Sequence, residues 1–349
     1  MCTRTTSDYV EIGGEVMNVR QGFAFACLLA AMVGCKDSST SYLNAQLQGI
    51  DQPVPPVSYP ELNPFSASSI ALGKLLFNDQ RLSSDNTISC ASCHDRSLGF
   101  ATNLPANPGV EQRPGTRNSP SLGNVAFQPY FMREGSVPTL EAQILVPIQE
   151  HNEFDSNILE IVAELEGDET YQSLSQAAYD QPLSAFTLTR SIANFERTLV
   201  SNQSRWDAFI GGEEFELTDE ELDGLRIFTS ERANCISCHN GFNFTNYEIV
   251  NNGLYEVFQD EGLANLTLRP EDEGKFKVPS LRNVSLTAPY MHDGSLANLY
   301  EVIAHYEQGG QQHPNQDARI KPFELTFSER DNLVAFLSTL EDDSFGQGE

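Results

Sequence analysis

Two five-residue segments hold the side chains best suited to chemistry in this sequence. They are Cys90-Ala91-Ser92-Cys93-His94 and, about 145 residues later, Cys235-Ile236-Ser237-Cys238-His239. A Cys-x-x-Cys-His segment is typical of covalent c-type haem attachment, in which both thiols form thioether bonds to the haem. The histidine that follows supplies a nitrogen ligand to the iron. The two segments therefore predict two covalently bound c-type haems, with His94 and His239 as iron ligands.

Paired cysteines have two other uses, as a redox dithiol and as half of a zinc site. A zinc site would need the two pairs to converge on one ion. Each pair here has its own histidine and its own helical context, and this favours haem. Unrelated dithiols or half a zinc site remain the alternative.

Helical patterns surround both segments. Apolar residues at helical spacing over 68–77 precede the first segment, and residues 218–229 precede the second, opened by a capping box of Thr218 and Glu221. Residues 103–120 are rich in Pro, Gly and Asn and predict a loop. Further helices are predicted at 138–147, 157–166, 184–200 and 328–340. This order predicts a mainly α protein of two cytochrome c-like domains, each carrying one haem.

The N-terminal region resembles an export signal. From Met17 a short polar start leads into an apolar run over 22–33 and then Gly34-Cys35. The run is too short for a permanent membrane span. It resembles a bacterial lipoprotein signal with Cys35 lipidated, and an ordinary secretory peptide cut nearby is the alternative. Acidic residues within 1–16 favour Met17 as the true start.

Both interpretations of this N-terminal signal predict export to the periplasm. Membrane contact is expected only through a lipid anchor. Covalent c-type haem is assembled outside the cytoplasm, which agrees with export. The predicted organisation is then a leader at 1–35, a proline-rich tether at 36–64, a first haem domain at 65–204, a second haem domain at 205–341 and an acidic tail at 342–349.

The formal charge of −28 argues against nucleic acid and anionic membrane as binding surfaces. It is compatible with docking a basic electron donor. A merely soluble acidic surface explains it equally well.

Four further motifs stand out in the sequence. They are Ser280-Leu281-Arg282-Asn283-Val284, the run from Thr287 to Leu296 that contains His292-Asp293-Gly294, and the shorter Arg117-Asn118-Ser119-Pro120 and Leu140-Glu141-Ala142-Gln143. With these motifs, the chain resembles bacterial di-haem cytochrome c peroxidases and their MauG-type relatives over roughly residues 62–341. The resemblance implies an oxidoreductase of the cytochrome-c peroxidase type. Family members often form homodimers, but the sequence does not indicate which residues would form the interface.

The resemblance implies a distal ligand for the second haem at Tyr306, fourteen positions after His292. Peroxidases of the family place methionine there, and MauG-type enzymes place tyrosine. A phenolate is a hard anionic donor that favours ferric iron. His305 and Met291 remain alternative ligands.

The resemblance implies an open first haem. Family peroxidases often carry a distal histidine at the position of Val110, and valine cannot ligate iron. His151 lies in the distal segment and is the alternative sixth ligand.

The family's proton-handling pair, a glutamine and a glutamate ten positions later, matches Gln143 and Glu153. A carboxyl in an apolar pocket has a raised pKa and can act as acid and base in turn. A solvated surface carboxylate is the alternative for Glu153.

The resemblance also implies one calcium ion between the haems, held by the side chain of Asn118 and the carbonyls of Thr287 and Pro289; oxygen ligands suit calcium. Most relatives place a tryptophan between the haems, at the position of Arg133. Arginine cannot relay an oxidising equivalent, and the sole tryptophan, Trp206, lies elsewhere.

The expected function is a peroxidase that reduces hydrogen peroxide at the first haem, with electrons delivered through the second haem from a cytochrome c or cupredoxin. One alternative is a MauG-like enzyme that uses peroxide to oxidise side chains of a partner protein. The other is a non-catalytic di-haem electron carrier.

Overall fold

A computed structural model describes residues 47–213 and 216–345 of this chain. The predicted leader, Cys35 and the first part of the predicted tether lie outside the described residues. Within the described ranges, no helix is long and apolar enough to cross a membrane.

The structure is mostly helical. Its α-helices are α1 Ala67–Phe77, α2 Cys90–Cys93, α3 Leu140–Gln143, α4 Leu145–Gln149, α5 Ile158–Leu165, α6 Glu169–Tyr179, α7 Ala185–Arg197, α8 Arg205–Ile210, α9 Asp219–Phe228, α10 Ala264–Thr267, α11 Leu299–Glu307 and α12 Phe327–Ser338. Two short strands, β1 Ile249–Val250 and β2 Phe276–Lys277, pair antiparallel. The prediction of a mainly α protein is confirmed.

In the first half, α1 packs along α7. Ser66 begins α1 with a capping box, and Leu72, Leu76 and Phe77 are buried. Gly73 allows the close approach of the two helices, because a Cβ at that position would lie 1.9 Å from the carbonyl oxygen of Ser191. The helix ahead of the first cysteine pair is thereby fixed against a later helix.

The second half repeats this arrangement with α9 and α12. Thr218 begins α9 through the predicted capping box with Glu221. A Cβ at Gly224 would lie 2.0 Å from the carbonyl oxygen of Asn332, so glycine again permits the contact. The two halves therefore share one local plan.

Each end of the described chain packs into the half that is farther from it in the sequence. Leu47 and Ile50 are buried in the core of the second half, whereas Phe345 is buried in the core of the first. Over residues 47–64 the structure thus differs from the predicted tether, because Ile50 and Asn63 at either end of this stretch are buried. It also differs from the predicted acidic tail, since the buried carboxylate of Asp342 accepts hydrogen bonds from backbone N–H groups.

The helices α6, α8, α10 and α11 were not predicted from the sequence. The first has alternating polar residues that hide its period and begins at the side-chain cap of Asp168. The last begins at Asn298, whose side chain accepts a hydrogen bond from the N–H of Glu301. This last helix, α11, carries Tyr306.

Candidate haem sites and distal pockets

The first cysteine pair lies in a single helical turn, α2, whose capping box joins Ser89 and Ser92. Both thiols are free and partly buried. Burial raises the pKa of the Cys90 thiol, and it raises that of Cys93 to about 11. The pair is therefore held as neutral thiols in an apolar setting.

The second pair begins a 3₁₀ turn, Cys235–Ser237, and has the same properties. Burial raises the pKa of Cys235 to about 12 and raises that of Cys238 as well. The N–H of His239 donates to the carbonyl of Cys235 at 2.9 Å, as the N–H of His94 does to that of Cys90 at 3.0 Å. The two motifs thus fold alike.

Each motif histidine is oriented by a backbone carbonyl. Nδ1 of His94 lies 3.0 Å from the carbonyl oxygen of Phe100, and Nδ1 of His239 lies 3.0 Å from that of Phe244. Both phenylalanines adopt the left-handed region, with φ of 56° and 51°, which turns these carbonyls onto the rings. A carbonyl at Nδ1 selects the tautomer in which Nε2 keeps its lone pair for a metal.

Burial lowers the pKa of both histidines, that of His239 to about 4, so both rings are neutral near neutral pH. Neutral imidazole is the form that ligates iron. Two free thiols followed by such a histidine fit a covalent c-type haem at each motif.

The two carbonyls that orient these histidines are supported from opposite ends of the chain. Phe345 packs edge to face on Phe100, with ring centroids 5.5 Å apart. The indole of Trp206 packs on Phe244 at 5.8 Å and donates through Nε1 to the carbonyl of Ile50 at 3.1 Å. The C-terminal segment therefore supports the first site, and the N-terminal segment supports the second.

A second repeat follows each motif along the chain. Isolated bridges join Phe131 to Val137 in the first half and Tyr290 to Leu296 in the second. The glycines inside these turns, Gly135 and Gly294, have φ of 69° and 67°. The two segments align residue by residue, so Arg133 is the first-half equivalent of His292.

Tyr306 lies near the cysteine pair of the second motif. Burial raises its pKa to about 12, and Cys235 and Cys238 add to this rise. The side chain of Asn252 hydrogen-bonds the phenol and acts to lower this pKa.

The two alternative ligands of the second haem are engaged elsewhere. Nε2 of His305 lies 3.1 Å from the carbonyl oxygen of Asn252. The sulfur of Met291 accepts from Nδ2 of Asn252 at 3.3 Å. Asn252 thus contacts all three candidates. It was not predicted as part of the site, because an asparagine in a polar loop has no periodic spacing that would indicate its contacts.

Val110 and Glu153 are brought together. The N–H of Val110 donates to the carbonyl of Glu153 at 3.0 Å, and Val110 is fully buried. Gly109 lets the two segments touch, because a Cβ there would lie 2.1 Å from the carbonyl oxygen of Asn152. The position of the family's distal histidine is therefore adjacent to the predicted proton-handling glutamate.

The Glu153 carboxyl lies within electrostatic range of the first cysteine pair, since its charge raises the pKa of Cys93. Although the residue is exposed, the atoms packed around its carboxyl raise its pKa, and the charge of Glu150 raises it further.

Gln143 ends α3, and its amide Nε2 lies 3.9 Å from the sulfur of Met132. No hydrogen bond joins it to Glu153 in the part of the chain that the structure describes. The alternative ligand His151 is exposed and contacts Arg113 and Asp155, with Nδ1 3.2 Å from the Asp155 carboxylate.

Asn118, the one side-chain ligand predicted for calcium, does not fit a calcium ion in this structure. Both of its oxygens accept from the Arg133 guanidinium, and its Nδ2 donates to the carbonyl of Leu104. The positively charged Arg133 side chain therefore already binds the oxygens that calcium would use. Among the described residues, no cluster of three or more His, Cys, Asp or Glu could hold a metal ion.

The fold and the two motifs define a di-haem c-type cytochrome. A profile of the family described as di-haem cytochrome c peroxidase matches residues 67–215, and one described as cytochrome c matches residues 222–341. The methylamine utilization protein MauG of Methylorubrum extorquens is 35% identical over 289 residues, covering 82% of this chain and 81% of that protein. The chain belongs to the di-haem cytochrome c peroxidase and MauG family.

Other relatives agree. The cytochrome-c peroxidase IdrP1 of a Pseudomonas species is 31% identical and covers 93% of both chains. The cytochrome c peroxidase Ccp of Escherichia coli is 33% identical over 83% of this chain and 61% of its own. A solved MauG-like protein associated with microbial copper homeostasis has a TM-score of 0.81, with 33% identity over 84% of this chain and 95% of its own. The predicted family and enzyme class are confirmed.

Proposed function

We propose that this protein reduces hydrogen peroxide to water at the haem on His94, with electrons that arrive through the haem on His239. The contact of Val110 with Glu153, beside the first cysteine pair, carries this proposal. It sets a residue that cannot ligate iron next to a carboxyl with a raised pKa. An electron carrier needs neither feature.

Cys90, Cys93 and His94 would hold the first haem, which supplies an iron that binds peroxide and accepts electrons. The overall reaction consumes one hydrogen peroxide, two electrons and two protons, and it yields two waters. Glu153 takes a proton from the peroxide oxygen nearer the iron and returns it to the farther oxygen, so that this oxygen leaves as water. Gln143, on the preceding helical turn, orients the peroxide by hydrogen bonding.

Cys235, Cys238 and His239 would hold the second haem, with Tyr306 as its distal ligand. Two observations support tyrosine: the phenol lies within electrostatic range of both cysteines, and Nε2 of His305 is bonded to a backbone carbonyl. The electron donor is a small cytochrome c or cupredoxin whose basic face suits a protein with a formal charge of −28.

Rapid mixing of the as-isolated protein with hydrogen peroxide tests the proposal. We expect one high-spin and one low-spin haem at rest, and a fast spectral change of the high-spin haem on mixing. Two low-spin haems that do not react with peroxide would indicate an electron carrier and would refute the proposal.

A second candidate is oxidation of a partner protein's side chains, with peroxide as the oxidant. Tyr306 at the MauG-type position and the MauG relatives favour it. Its test is mass spectrometry of proteins that co-purify from the native host, before and after peroxide. A mass change on one aromatic residue of a partner supports this candidate. If no partner residue changes mass, peroxide reduction remains the proposed function.

Export to the periplasm, with Cys35 as a lipidated N-terminus, is also a proposal and rests on the apolar run before Gly34. Intact mass spectrometry of the mature protein should find a lipid-modified Cys35. A homodimer, proposed by resemblance, is checked by light scattering of the purified protein.

A further inference from the structure

We infer that Arg133 is a built-in cation that takes the place of calcium at Asn118. The inference goes beyond the proposed function, since it holds whichever substrate the first haem oxidises. It rests on Asn118, the implied side-chain ligand of calcium, whose oxygens are bonded to Arg133 instead.

The guanidinium uses both oxygens of Asn118. Nη2 of Arg133 lies 2.5 Å from the backbone oxygen and 2.9 Å from Oδ1, and Nε lies 3.1 Å from the backbone oxygen. Calcium binds through the same oxygen lone pairs. A divalent ion there would have to displace these three bonds and face the repulsion of a guanidinium that is always charged.

Charges of both signs surround Arg133. Burial and the charge of Arg117 lower the pKa of Arg133 to about 10, whereas Asp293, Asp260 and Glu134 act to raise it. Arg117 is itself paired with Asp260 at 2.6 Å and with Glu134. A guanidinium with this pKa is charged at neutral pH, so a divalent ion at Asn118 would be repelled by it.

Arg133 also joins segments from both halves of the chain. The N–H of Asn118 donates to the carbonyl of His292 at 2.9 Å, and the carbonyl of Arg133 accepts from the N–H of Lys277 at 2.6 Å. Asn118 and Arg133 come from the first half, whereas His292 and Lys277 come from the second. The guanidinium therefore binds Asn118 at a point where backbone bonds join the two halves.

The first test uses the wild-type protein with both haems attached. After dialysis into calcium-free buffer, elemental analysis should find far less than one calcium per two irons. The melting temperature should be the same with calcium chloride and with a calcium chelator. One calcium per two irons, or a fall in melting temperature with the chelator, would overturn the inference.

The second test removes the cation from Asn118. Arg133→Gln should bind calcium and should melt at a higher temperature with calcium chloride than with a chelator, whereas Arg133→Lys should behave as the wild type does. Arg190→Gln, a surface arginine that bonds the Leu62 carbonyl, is the matched control and should show no calcium dependence. An Arg133→Gln protein without calcium dependence would refute the replacement. Neither test requires peroxide turnover, so failure here and failure of the proposed function are distinguishable.

Discussion

Replacement of Glu153 by glutamine isolates the proton-handling step. The substitution keeps the size of the side chain and the backbone bond from Val110, but it removes the group that takes up and releases a proton. General acid–base catalysis contributes about 10²–10⁴-fold to a rate. We therefore expect the reaction with peroxide to slow by about a hundredfold or more, which is a rise of about 2.7 kcal/mol in the barrier.

The pH dependence gives the same step a second signature. Burial and the charge of Glu150 raise the pKa of Glu153. Because Glu153 first acts as a base, the rate should fall as the pH drops below this raised pKa. Glu150→Gln removes the like charge, so the midpoint of the fall should move to lower pH while the rate near neutral pH stays close to wild type.

Stopped-flow absorbance of the haem bands measures both effects, and Glu150→Gln is the control for the loss of one carboxylate. Haem content must be equal in all three proteins. If Glu153→Gln reacts as fast as wild type, Glu153 is a solvated surface group and the proton-handling role is refuted.

Substitutions at three further positions test other parts of the molecule. Tyr306→Met should raise the potential of the second haem, because it exchanges an anionic ligand for a neutral thioether; an unchanged spectrum and potential in Tyr306→Phe would exclude the tyrosine as ligand and favour His305. Val110→His should convert the first haem from high spin to low spin in electron paramagnetic resonance, and a persistent high-spin signal would contradict the predicted position. Glu196 is buried, and burial raises its pKa from 4.5 to about 8; the folded state therefore favours its protonated form, and this stability is present below pH 4.5 and lost as the pH rises to 8. Glu196→Gln should then stabilise the protein at pH 9 by no more than about 5 kcal/mol and have little effect at pH 4; an equal change in melting temperature at both pH values would disagree.

Local sequence signals predicted the helices that carry or flank the motifs. The predicted helix at 157–166 is observed as Ile158–Leu165, and the capping box of Thr218 and Glu221 is present. Such signals depend on residues three or four positions apart, so a single sequence contains them in full. The same is true of the two Cys-x-x-Cys-His segments.

Signals that depend on distant contacts were missed. The bonds from Arg133 to Asn118 join residues on two loops, and Asn252 contacts Tyr306 from 54 positions away in the sequence. Neither pair has a spacing that a helix or strand would impose. The burial of Ile50 in the predicted tether and of Phe345 in the predicted tail was missed for a related reason, since composition reports average polarity and not the burial of single residues.

The crossing of the chain ends has a consequence for how this protein is made. Phe345 supports the carbonyl that orients His94, and Ile50 accepts the bond from Trp206, which packs on the carbonyl-bearing Phe244. The segment around Ile50 must therefore wait for the second half of the chain before it is buried, and the first half must wait for Phe345. Neither core is complete on a partly synthesised chain. For the same reason, a cut near residue 204 would leave two fragments that each lack part of their own core, so a single-haem half is not obtained by truncation.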